Sequence, residues 1–70
     1  MTPPTDSTAA ELAAIADQVS TFRSRVASLA DPFLGTDRDD LVTVLHEAER
    51  TLRSAERGLQ RALRALRGRT

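Results

Sequence analysis

The chain has 70 residues, enough for one small domain, and its ten acidic and ten basic side chains give a formal net charge of zero. It lacks cysteine, lysine, tyrosine and tryptophan and has one histidine, which argues against disulfide bonds, a metal site and most catalytic groups. Because a chain this short rarely buries a sufficient core alone, we expect oligomerisation to stabilise it.

Residues 1–7 contain two prolines and no positive charge, and we predict that they form a flexible tail before a helical hairpin over residues 8–70. The tail has neither the positive charge nor the apolar stretch of a secretory signal. The longest apolar run, residues 12–16, is far shorter than the roughly 20 residues that cross a bilayer. We therefore predict a cytoplasmic protein with no transmembrane segment.

The first predicted helix spans about residues 9–30. Thr8 and Glu11 have the spacing of a capping box, in which each side chain binds the backbone amide of the other residue. Apolar residues then alternate spacings of three and four, which is typical of a helix with one apolar seam. The members of this seam are Leu12, Ile15, Val19, Phe22, Val26, Leu29 and Phe33.

A turn is predicted over residues 31–37. Pro32 disfavours helical geometry in the residue before it and cannot donate the next helical hydrogen bond. The connection has the length found between antiparallel helices, and we expect Phe33 to fold inward at the end of the core. Thr36 or Asp37 is predicted to cap the second helix.

The second predicted helix spans about residues 38–67 and carries a heptad repeat of leucine at a and alanine at d. Small residues at heptad spacing allow two helix axes to approach closely. Leu63 and Leu66 are expected to project past the start of the first helix, where they would be exposed in a monomer. The predicted interface is Leu45, Ala48, Leu52, Ala55, Leu59, Ala62, Leu63 and Leu66.

The fold class is therefore predicted to be all-α: an antiparallel two-helix hairpin, resembling a coiled coil, that dimerises into a four-helix bundle. We expect a non-enzymatic interaction or oligomerisation module whose partner is a second copy or another helical protein. No cofactor or small-molecule substrate is suggested by the sequence. His46 occupies an outward heptad position and is interpreted as solvated, and Asp37, Asp39 and Asp40 as helix-start residues.

Charge is distributed unevenly: residues 1–50 hold nine acids and four arginines, whereas residues 51–70 hold six arginines and one glutamate. Arginines at outward positions of the second helix could form an anion-binding stripe. An alternative function is therefore the binding of nucleic acid or an anionic surface, although a plain solvated face explains the stripe more simply. The candidate residues are Arg53, Arg57, Arg61, Arg64 and Arg67.

The turn residues Phe33 and Gly35 resemble the Trp-x-Gly turn of the WXG100 family of small secreted helical hairpins, with phenylalanine in place of tryptophan. This resemblance implies a second alternative, a secreted hairpin that pairs with a sister protein. Such a chain would be poorly folded when purified alone.

Overall fold

The computed structural model describes residues 4–68 and consists of two long helices joined by a short connection. Helix α1 spans Pro4–Ala30, a short 3-10 helix spans Asp31–Phe33, and helix α2 spans Asp39–Gly68. The two helices pack against each other along their length, and the described residues contain no strand. The prediction of an all-helical hairpin is confirmed. Neither described helix has an apolar stretch long enough to cross a bilayer.

Helix α1 begins at Pro4, about five residues earlier than the sequence analysis placed it. Residues 4–7 of the predicted tail are helical, and residues 1–3 lie outside the described residues. Thr8 and Glu11 are inside the helix, so the predicted capping box does not form its start. Proline is well tolerated in the first turn of a helix, where its missing amide has no acceptor, and Asp6 places negative charge at the positive end of the helix dipole.

The connection is held by local hydrogen bonds. The Leu34 amide donates to the Asp31 carbonyl and the Thr36 amide to the Phe33 carbonyl, each at 3.2 Å. Gly35 has a φ of 75°, a left-handed conformation that favours glycine. Phe33 is half-buried, as expected for a side chain at the end of the helix pair.

The prediction that Thr36 caps α2 is wrong in detail. Its hydroxyl donates to the Phe33 carbonyl at 2.6 Å and accepts from the Arg38 amide at 3.2 Å, so it stabilises the connection. Helix α2 begins at Asp39, and the Arg38 carbonyl accepts from the Val42 amide at 3.2 Å. Arg38 therefore stands at the cap position, and the sequence could not show this because Thr36 and Asp37 are both better capping residues.

The hairpin is a single layer of helices with extents of 57, 17 and 10 Å. Its radius of gyration is 16.4 Å, whereas a compact domain of this length would have about 11 Å. Its accessible surface is 5249 Å², against about 4300 Å² expected for a compact monomer of its mass. Among the described residues only Ala16 and Ala30 are buried. The hairpin therefore lacks a core of the usual size.

Candidate functional site

The residues of α2 that face α1 form a line with alternating spacings of three and four. Two of them, Glu49 and Glu56, both bind Arg23 of α1, which fixes the direction in which the line points. All its members are half-buried. We call them the facing line of α2: Val42, Leu45, Glu49, Leu52, Glu56, Leu59, Leu63 and Leu66.

The structure separates the two halves of the predicted leucine–alanine interface. Its leucines lie in or beside the contact with α1, whereas Ala48, Ala55 and Ala62 are exposed. The alanines were predicted to form the second half of the seam, but Glu49 and Glu56 take that place in the structure. Because Arg23 neutralises both carboxylates, the glutamates can occupy the facing line and the alanines turn outward.

On α1 a line of mostly small residues faces α2, and four members of the predicted apolar seam beside it, Leu12, Ile15, Val19 and Val26, are half-buried as well. Ala16 and Ala30, the buried residues, belong to this line, and the rest of it is half-buried. The facing line of α1 consists of Ala9, Ala13, Ala16, Ser20, Arg23, Ala27 and Ala30. The predicted seam lies beside it, and its members Phe22 and Leu29 are 49% and 58% exposed. The leucines of α2 thus face a side of α1 that combines alanines with half-buried seam residues.

The most exposed large apolar residues of the helices, Phe22, Leu29 and Val44, lie on one side of the hairpin together with the exposed alanines of α2. On each helix they come one residue before the facing line, as Phe22 precedes Arg23 and Ala55 precedes Glu56. A residue one position earlier in the chain is rotated by about 100° about the helix axis. Because the two helices are antiparallel and face each other, this rotation brings the earlier residues of both helices to the same side of the pair.

We call this side the apolar face. Helix α1 contributes its predicted seam, and α2 contributes a second line of residues at spacings of three and four. On α1 the members are Leu12, Ile15, Val19, Phe22, Val26 and Leu29, and on α2 they are Leu41, Val44, Ala48, Thr51, Ala55, Gly58, Ala62 and Ala65. Val44 is 59% exposed, which shows that the second line is open to solvent at the turn end.

The opposite side of the hairpin is polar. The residues that follow the facing lines include Asp17 and Ser24 on α1 and His46, Arg53 and Gln60 on α2, and all are exposed. His46 therefore lies where the sequence analysis placed it, on a solvated surface. The hairpin as a whole is amphipathic, with a polar side and an apolar side.

Arg23 makes the main polar contact between the helices. Its Nε donates to Glu56 Oε1 at 3.1 Å, and its NH1 lies 3.8 Å from Glu49 Oε1. The three side chains are only 16–26% exposed. Glu49 also accepts a 2.6 Å hydrogen bond from Arg53 one turn along α2. This cluster fixes the register of the helices, because Arg23 must lie level with the turn of α2 between its two glutamates.

The expectation that Leu63 and Leu66 project past α1 is wrong. Since α1 begins at Pro4, its first turns run beside the end of α2, and both leucines are half-buried. An open groove of about 540 Å³ remains at this end of the hairpin. It is lined by Thr5, Asp6, Ala9, Ala10, Leu66 and Arg67.

The predicted arginine stripe divides into three parts. Arg57, Arg61 and Arg64 line, with Gln60, a shallow depression of about 230 Å³ on the outside of α2. Within residues 4–68, no carboxylate lies within 4.0 Å of these three guanidinium groups. Arg53 is bound to Glu49, and Arg67 belongs to the groove at the open end of the hairpin. The structure thus brings together three of the five candidates.

The acidic residues near the start of α2 are used locally. Arg38 Nε donates to Asp40 Oδ1 at 3.2 Å, and this hydrogen bond lowers the pKa of the Asp40 carboxyl and raises the pKa of Arg38. Asp39 and Asp40 stand in the first turn of α2, where negative charge is favourable.

No family model matches the chain, and neither the curated proteins nor the solved structures yield a significant match to it.

Proposed function

We propose that this chain is a small non-enzymatic helical-hairpin module that acts through protein–protein contacts and assembles with a second hairpin into a four-helix bundle. The observation that supports this proposal most strongly is the apolar face. It combines exposed Phe22, Leu29 and Val44 with a continuous line of small residues on α2. A single layer with two buried alanines gains little from hydrophobic burial, and a second layer on this face would supply the missing core.

The first experiment measures the solution mass of the purified chain by light scattering and its helical circular dichroism across a dilution series. We expect twice the chain mass of 7.6 kDa, with helicity and mass falling together on dilution. Association and folding should be coupled because the face is part of the core.

A stable, fully helical monomer at all concentrations would contradict self-association. A monomer with weak helicity would instead place the missing half of the core on another protein, such as the sister protein that the turn resemblance implies.

A second candidate function is anion binding by Arg57, Arg61 and Arg64. It is supported by their arrangement around one depression on the outside of α2. Replacing Arg57 and Arg64 by glutamine should weaken the binding of a fluorescent DNA duplex by about tenfold at about 50 mM salt and flatten the salt dependence.

The matched control for this test is the Arg38→Gln/Arg50→Gln variant, which removes the same charge away from the depression. If both variants lost the same affinity for the DNA duplex, the loss would come from the change in net charge and not from the depression. Absence of any binding by the unmodified chain at low salt would eliminate this function.

A further inference from the structure

We infer that the occupant of the apolar face is a second copy of this chain, arranged so that α1 of each copy lies along α2 of the other. This inference rests on the proposed function, whose four-helix bundle it makes specific. The two copies are related by a two-fold axis parallel to the helices, and both turns lie at the same end of the bundle. Every neighbouring pair of helices is then antiparallel.

The sizes of the side chains on the apolar face favour this arrangement. Helix α1 presents its larger residues at heptad spacing, Ile15, Phe22 and Leu29, whereas α2 presents Ala48, Ala55 and Ala62. A two-fold axis parallel to the helices puts Ile15 and Phe22 over small residues and Leu29 over the turn of α2 that contains Val44 and Ala48. The alternative, with α1 on α1 and α2 on α2, would put large on large at one edge and small on small at the other.

The register follows from the Arg23 cluster. Because Arg23 lies between Glu49 and Glu56, Phe22 is level with the turn of α2 that precedes Ala55. Rotation about an axis parallel to the helices does not change the height of any residue. Phe22 of one copy is therefore level with the partner's Ala55. Seven residues away in either direction, Leu29 is level with the partner's Ala48 and Ile15 with the partner's Ala62.

The dimensions of the face match those of a protein–protein interface. From Leu41 to Ala65 the face runs about 36 Å along α2, and with the 17 Å width of the hairpin it covers roughly 600 Å² per copy, at the lower end of the standard range of about 600–1000 Å² per partner. A single added helix would cover only half of this width. A second hairpin has the same length and width and covers the face completely.

Charges along the edges of the apolar face are complementary in the same arrangement. Glu11 and Arg25 flank the face on α1, and Glu47 and Arg61 flank it on α2, all of them exposed. The proposed dimer brings Glu11 towards the partner's Arg61 and Arg25 towards the partner's Glu47, as flanking charges pair in coiled coils.

The absence of cysteine allows a clean cross-linking test. Two single variants, Phe22→Cys and Ala55→Cys, change exposed residues and leave the contact between α1 and α2 intact. Each variant is first oxidised by itself. The two variants are then mixed, unfolded and refolded together, so that mixed dimers form, and the mixture is oxidised in the same way. We expect a disulfide-linked dimer in the mixture and none in either variant alone, because identical residues lie diagonally across the bundle and only the mixed pair is adjacent.

The outcomes distinguish the two levels of the proposal. Cross-linking of each variant by itself would overturn this arrangement in favour of α1 on α1. A dimeric mass with no cross-link in any sample would show that the two copies associate through another face of the hairpin. A monomeric mass would contradict the proposed self-association itself. Ser24→Cys mixed with Gln60→Cys, both on the polar side, is the matched control and should stay unlinked.

Discussion

The two helices use their apolar residues in opposite ways. On α2 most leucines face the neighbouring helix and the alanines are exposed, whereas on α1 Ala16 and Ala30 are buried and Phe22 and Leu29 are exposed. The contact inside the hairpin therefore joins large side chains to small ones. The residues left on the apolar face are again large on α1, such as Phe22, and mostly small on α2, such as Ala55. One rule of size matching accounts for the hairpin and, in the proposed dimer, for its assembly.

Enlarging a buried position on α1 should have the largest effect on this pairing. Ala16 is 6% exposed and faces α2, so Ala16→Leu should destabilise the hairpin by about 1–3 kcal/mol through overpacking. Urea unfolding followed by circular dichroism measures the change. The control is Ala14→Leu, at an exposed position, with an expected change within about 0.5 kcal/mol. Equal stability of the two variants would mean that Ala16 does not face α2.

Removing the charge between the helices should have a smaller effect. Arg23→Met leaves Glu56 without its partner from α1 and should cost roughly 1–2 kcal/mol, less than the about 3–5 kcal/mol for a fully buried pair, because all three side chains are partly exposed. The same urea measurement applies.

Arg25→Met, at an exposed position, is the control for Arg23→Met. A second substitution, Glu56→Leu, should restore most of the loss by replacing the ion pair with an apolar contact. Failure of this rescue would show that Arg23 acts through something other than its glutamates.

The smallest expected effect tests the residues that α2 contributes to the apolar face. A Cβ atom at Gly58 would meet only the Arg61 guanidinium at 3.6 Å, so Gly58→Ala should stabilise the hairpin by up to about 1 kcal/mol through helix propensity. In the proposed dimer the added methyl group lies against a partner helix. The gain should then shrink as protein concentration rises, which urea unfolding at several concentrations can follow.

Gly35→Ala is the contrasting variant, because its positive φ makes any side chain unfavourable at every concentration. If the gain from Gly58→Ala were independent of concentration, Gly58 would not lie in the interface between copies.

The sequence by itself determined the features that depend on neighbouring residues. The helical periodicity, the interruption at Pro32 and the turn at Gly35 are local, and the structure shows two helices separated at that point. The first turn of α1 was missed because Thr8 and Glu11 offered an apparent start, while the benefit of extending the helix to Pro4 comes from packing beside Leu66, far along the chain.

The tertiary structure decided which line of each helix faces the other. Both helices carry two adjacent lines with spacings of three and four, about 100° apart, and periodicity cannot choose between them. The choice depends on contacts across the hairpin, above all between Arg23 and Glu56, which are 33 residues apart. Glutamate counts as polar in a sequence pattern, and only the arginine on the opposite helix allows it to occupy the interface. Size matching of leucine to alanine then leaves Phe22 and Leu29 exposed on the apolar face.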